Sequence, residues 1–141
     1  MDKQDKFVAL IAGVSGAVGS ALARELASRE EWVVYGISRR PPATGLEGLT
    51  YFQIDMNDRE QCLKSLASLT DVTHVFYCGR ATHAEQILEN AEDNLRLLRH
   101  LLDGVETAAN DLRHIHLVQG GKYYGVHVGP FPTPAREADT R

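Results

Sequence analysis

The chain alternates short apolar runs with stretches whose apolar residues recur at helical spacing. The runs are FVALIA at 7–12, WVVYGI at 32–37, LTYFQI at 49–54, VTHVFYC at 72–78 and RHIHLV at 113–118. Each is strand-length and rich in β-branched or aromatic residues, and near-continuous apolarity predicts burial on both faces, as in parallel sheets. Residues 17–30 carry Val18, Leu22 and Leu26 one helical turn apart, which predicts an amphipathic helix. A second helix is expected to open at Asn57 and Asp58, good capping residues, and to run through Leu63 and Leu66. The longest is expected from about Ala84 to Val105, with Ile87, Leu88, Ala91, Leu95, Leu98, Leu101 and Leu102 as its apolar positions. RRPPATGLEG, residues 39–48, holds no helix across its paired prolines, so a loop or short turn joins the second and third strands.

Strand–helix alternation without internal repeats predicts an α/β fold, a Rossmann-type doubly wound parallel sheet of about five strands with right-handed crossovers. Residues 1–128 form that domain on this reading. Residues 129–141, GPFPTPAREADTR, hold three prolines and no periodic apolar face, and read as a flexible tail that leads into no sixth strand.

Composition narrows the setting. The 141 residues are 43% apolar, enough for one core, and the net charge of −4 arises from scattered charges of both signs. With no basic run, nucleic acid and anionic membranes are not expected partners. The N-terminal MDKQDK-FVALIAGVSGAVG imitates a signal peptide, but its first six residues balance two Asp against two Lys and its apolar part carries three regularly spaced glycines. A cytoplasmic location is therefore expected. Cys62 and Cys78 fit neither a disulfide framework nor a paired metal motif, which agrees with reduced thiols.

The glycines carry the first chemistry. Gly13, Gly16 and Gly19 follow a predicted strand and open a predicted helix, the context in which such a turn admits a dinucleotide pyrophosphate to the helix N-terminus. Gly13, Ser15, Gly16, Ala17, Val18 and Gly19 are the candidate phosphate cradle; the bland alternative is a turn that serves packing alone. The second strand ends in Ser38, Arg39 and Arg40, with no acid to accept ribose hydroxyls. Adjacent arginines offer planar forks suited to a phosphate monoester, so NADP(H) is expected over NAD(H), against the alternative of a solvated basic turn. Asp55, with Met56 beside it, stands either at the adenine edge or, with Asn57 and Asp58, as a cap of the next helix. Lys122 follows the fifth strand, at the carboxyl edge where open α/β sheets bind ligands. Tyr123 and Tyr124 read as packing residues, Asn94 as a polar surface residue, and the dispersed histidines as no metal site.

Together the residues resemble the short-chain dehydrogenase/reductase superfamily, and within it the branch of progesterone 5β-reductase and iridoid synthase-like enzymes. The resemblance rests on GVSGAVG at 13–19, YGISRRP at 35–41, LTDVTHVFY at 69–77 and LVQGGKYYG at 117–125, with GPF soon after. It implies an NADPH-dependent reductase of a carbon–carbon double bond conjugated to a carbonyl, acting on a small activated carbonyl compound, with Lys122 as the motif lysine. The commoner Tyr-x-x-x-Lys pattern is absent, since four residues beyond Tyr123 and Tyr124 stand His127 and Val128. In this branch the catalytic tyrosine comes from a later helix, beyond the 19 residues that follow Lys122 here. The resemblance therefore implies a cofactor-binding part truncated before the sixth strand and substrate region, with little turnover by itself and an uncovered sheet edge open to self-association. A non-catalytic NADP(H)-binding sensor or partner module is the alternative. Arg80 departs from the aromatic residue common in relatives, which counts against a flat steroid-like or terpenoid substrate and would suit an anionic one, and Asn94 matches a position that helps shape the site in that branch.

Overall fold

A computed structural model describes residues 6–42, 46–81, 90–125 and 129–139, with the side chain of Lys122 outside that description. Five parallel strands, β1 (Phe7–Ala12), β2 (Trp32–Ser38), β3 (Leu49–Gln53), β4 (His74–Tyr77) and β5 (His114–Leu117), form one sheet in the order β3-β2-β1-β4-β5. The helices are α1 (Ala17–Ala27), α2 (Arg59–Leu66) and α3 (Ala91–Ala108), and a short 3-10 helix, Gly121–Tyr124, follows β5. The doubly wound α/β expectation holds.

Side-chain alternation along β1 explains the layering. Val8, Leu10 and Ala12 pack with Ile37, Ile54, Val75 and Tyr77 beneath α2 and α3, whereas Ala9 and Ile11 pack with Val14, Val34 and the α1 residues Ala23 and Leu26. A central strand buried on both faces has no polar side to spare, which is why its sequence is an unbroken apolar run. Because β1 pairs with β2 on one side and β4 on the other, chain direction across the sheet reverses there, and a crevice opens at the carboxyl ends of these strands.

The edges differ from the expectation of two-sided burial. All four residues of β5 are exposed and those of β3 are exposed or half-buried, because each strand has one neighbour only. α1 is shorter than residues 17–30, and Val18 is 53% exposed: the apolar stripe of this helix begins at Leu22 and Leu26, and Val18 faces the crevice rim. α2 opens as expected behind Asp58, whose carboxylate accepts the Gln61 amide at 3.0 Å. α3 begins at Ala91, not near Ala84: Asn90 has extended backbone and its side chain caps the amides of Glu92 and Asp93. Ile87 and Leu88 lie outside the described residues. Leu97, Leu101 and Val105 form the buried face of α3, and Leu95 is 43% exposed.

Candidate functional site

The turn after β1 is built around Gly13. Its φ of +81° is left-handed, and a Cβ there would stand 2.7 Å from the Cys78 carbonyl oxygen. The Gly13 and Val14 amides donate to the Ile37 carbonyl, and Gly16 closes the turn by donating to the Gly13 carbonyl at 3.1 Å. Gly19 lies buried against this turn, where a Cβ would meet the Gly13 oxygen at 2.3 Å. Helix α1 thus starts in contact with the strand it follows. Gly16 caps it without a side chain, so Ser15, Gly16, Ala17 and Val18 stay exposed at the positive end of the helix.

These residues open onto a cavity of about 720 Å³ at the carboxyl edge of the sheet. Gly13, Ser15, Gly16, Ala17 and Val18 form one wall; Ser38, Arg39 and Arg40 from the end of β2, and Asp55 and Met56 from beyond β3, line the same cavity. Gly19 stays behind, setting the approach of helix to turn. These three chain segments, far apart in sequence, meet here because all five strands point their carboxyl ends the same way.

Individual side chains have distinct tasks. Ser38 is buried; its hydroxyl donates to the Arg40 carbonyl, and Tyr51 donates back to the Ser38 carbonyl at 2.8 Å. With Gln53 donating to the Arg39 carbonyl at 3.0 Å, these bonds set the turn that presents the two exposed guanidiniums. Asp55 accepts from the Asn57 amide at 2.9 Å and its side chain at 3.0 Å, so it shapes the turn into α2 while still lining the cavity. Lys122 lies within the 3-10 helix that follows β5.

Sequence reading missed the contribution of β4. Cys78 and Gly79 line the cavity, and burial pushes the Cys78 thiol up from its ordinary pKa. A Cβ on Gly79 would stand 3.0 Å from the Met56 methyl, so this glycine leaves room for the Met56 side chain from the segment that follows β3. The available signal was their place directly after the fourth apolar run. Asn94 accepts the Ala81 amide at 2.9 Å and donates to the Asn90 carbonyl at 3.1 Å, tying the loop after β4 to α3.

A family model described as the NAD dependent epimerase/dehydratase family matches residues 9–140. The chain belongs to that family. Within it, the motif resemblance to the 5β-reductase and iridoid synthase branch is matched by named relatives. The chain is 42% identical over 130 residues to a 3-oxo-Delta(4,5)-steroid 5-beta-reductase of Arabidopsis thaliana, covering 88% of this chain and 32% of the relative. It is 33% identical over 147 residues to an (S)-8-oxocitronellyl enol synthase of Catharanthus roseus, covering 96% and 37%. The chain thus spans about a third of the length of the curated relatives it matches. Among solved structures, a short chain dehydrogenase family protein from Francisella tularensis shares the fold with a TM-score of 0.67 at 16% identity, over 84% of this chain and 53% of that one. A short chain dehydrogenase from Leptospira borgpetersenii, solved with bound NAD+, gives 0.65 at 16% identity, over 92% and 58%. An NAD(P)-dependent family accounts for a glycine turn packed this closely against a helix start.

Proposed function

We propose that this chain is the NADP(H)-binding part of an oxidoreductase that reduces an activated carbon–carbon double bond, an enone, or a related carbonyl substrate. The observation that carries the reading is the meeting of the glycine turn with Arg39 and Arg40 on one cavity. In this reading the pyrophosphate lies over the exposed start of α1, where helix amides and dipole favour an anion. The arginines take the 2′-phosphate through forked, charge-assisted hydrogen bonds. Asp55 and Met56 border the adenine. Lys122, in the 3-10 helix that follows β5, would hold the nicotinamide ribose or stabilise the developing enolate oxygen of the substrate. The bound nicotinamide would supply the hydride; the chain supplies its placement. The two relatives named as a steroid reductase and an enol synthase support the substrate class, a small activated carbonyl compound. The free thiols of Cys62 and Cys78 support a reducing, cytoplasmic setting.

Calorimetric titration with NADPH and NADH tests this. NADPH is expected to bind at least about tenfold more tightly, and the double variant Arg39→Gln/Arg40→Gln to bring the two within about twofold. Equal affinities in the unaltered chain, or no binding of either, would overturn the assignment.

A further inference from the structure

The segment between β3 and α2 brings Asp55 and Met56 to the cavity, and its backbone is held on several sides. The Ile54 amide donates to the Ser38 carbonyl at 3.1 Å, and from α2 the Gln61 side chain accepts the Asp55 amide at 2.6 Å. A further hold crosses from α3: Nδ1 of the half-buried His100 lies 2.8 Å from the Met56 carbonyl oxygen. A carbonyl oxygen only accepts, so this ring nitrogen carries the proton and donates it. Met56 is buried, where a carbonyl deprived of its partner is costly.

The structure also fixes where His100 stands. One turn further along α3, Gly104 lies against α2, where a Cβ would stand 2.7 Å from a Leu66 methyl and 3.1 Å from the Cys62 carbonyl oxygen. The missing side chain lets the helices approach this closely, and Asp103 accepts from Arg59, the first residue of α2, at 2.8 Å. Leu97, one turn before His100, lines the cavity directly. Helix α3 is therefore both a wall of the site and the anchor of a neighbouring segment.

We infer that His100, which does not line the cavity, is a positioning residue for the adenosine half of the dinucleotide and acts through the Asp55–Met56 segment. The inference rests on the cavity being the dinucleotide site proposed above. A carbonyl drawn toward α3 fixes the peptide plane between Met56 and Asn57, and with it the backbone that carries the residues bordering the adenine. Without the donor, the segment keeps its holds on β2 and α2 but gains freedom at Met56, and binding must then order it at a cost in affinity.

NADPH and 2′,5′-ADP, the adenosine half alone, are titrated calorimetrically into the unaltered chain, His100→Phe and His100→Asn. Phe keeps an aromatic ring and removes the donor, whereas Asn can place an amide N–H near the position of Nδ1. His100→Phe is expected to weaken both ligands by a common factor of about five, and His100→Asn to return both to within about twofold of the unaltered chain. Hydrogen exchange in the ligand-free chains is the second readout. Exchange at the backbone amides from Asp55 to Asp58 should quicken in His100→Phe and not in His100→Asn. Faster exchange with unchanged affinity would reduce the bond to support of the fold and overturn the positioning role. An Asn variant as weak as the Phe variant, or a loss of NADPH affinity that 2′,5′-ADP does not share, would overturn it too. An unaltered chain that binds neither ligand would instead overturn the dinucleotide reading, and the role of His100 would fall with it.

Discussion

At the level of single residues, the glycines divide by what surrounds them. A Cβ on Gly19 would meet backbone, the Gly13 carbonyl at 2.3 Å, and neither helix nor turn can yield without shifting the other. A Cβ on Gly16 meets that same oxygen at 3.4 Å, an ordinary contact. Gly19→Ala is therefore expected to destabilise the chain by at least about 2 kcal/mol and to abolish NADPH binding, whereas Gly16→Ala costs within about 1 kcal/mol of stability. Thermal unfolding of the two variants separates these outcomes, and equal melting temperatures would contradict the account. The sequence made this pair legible, since spacing and context placed both glycines at a strand–helix junction. It did not reveal that Gly13, Gly16 and Ser15 face the cavity while Gly19 faces the turn, because that division depends on how closely α1 approaches β1. The task of Ser38 was likewise hidden: its partner Tyr51 becomes a neighbour only once β3 pairs with β2.

At the level of elements, α3 marks where periodicity alone falls short. Its leucines satisfy two helical stripes, one through Ala91, Leu95, Leu98 and Leu102 and another through Leu97, Leu101 and Val105. The expected apolar positions fall mostly on the first; the second packs on the sheet and α2, while Leu95 on the first is exposed. A helix with apolar residues on an exposed stripe beside its core contact shows an apolar face wider than packing needs, and this blurs the phase. Its start was obscured for a related reason, since the apolar spacing runs through Ile87 and Leu88 and conceals the cap at Asn90. That cap holds the first turn, which in turn carries Asn94 and its bond to Ala81. Asn90→Ala should cost about 1 kcal/mol, and Asn90→Asp should retain most of the stability because a carboxylate accepts the same amides. Urea unfolding of both variants tests the pair; an Asp variant as unstable as the Ala variant would count against capping.

Across the whole molecule, the two faces of the sheet are unequal. One is covered by α2 and α3, and the other by α1 over β1 and β2, leaving a row of rings that crosses four strands: Phe7, Trp32, His74, Phe76, His114 and His116. The apolar runs predicted the strands in order, but a run such as RHIHLV could not announce that its histidines form a ladder, because His114 meets His74 only through the β4–β5 register. His74 is the half-buried histidine of the row, with Phe7 at 5.4 Å and Trp32 at 5.1 Å. Burial lowers its pKa below the ordinary 6.5, with His114 and Arg113 adding repulsion. A folded pKa below the unfolded one means that the folded state binds fewer protons. The contribution is therefore complete above about pH 6.5 and is lost as the pH falls toward the folded value. The local geometry agrees: His74 Nδ1 lies 2.8 Å from the Thr73 hydroxyl, which also accepts the Val8 amide at 2.8 Å, so protonating the ring disturbs the join between β4 and β1. The melting temperature is expected to fall between pH 7.5 and pH 5, and to fall less in His74→Phe, which keeps a ring among Phe7, Trp32 and Phe76 but cannot take up a proton. Parallel pH profiles for the two chains would assign the acid sensitivity elsewhere on the sheet.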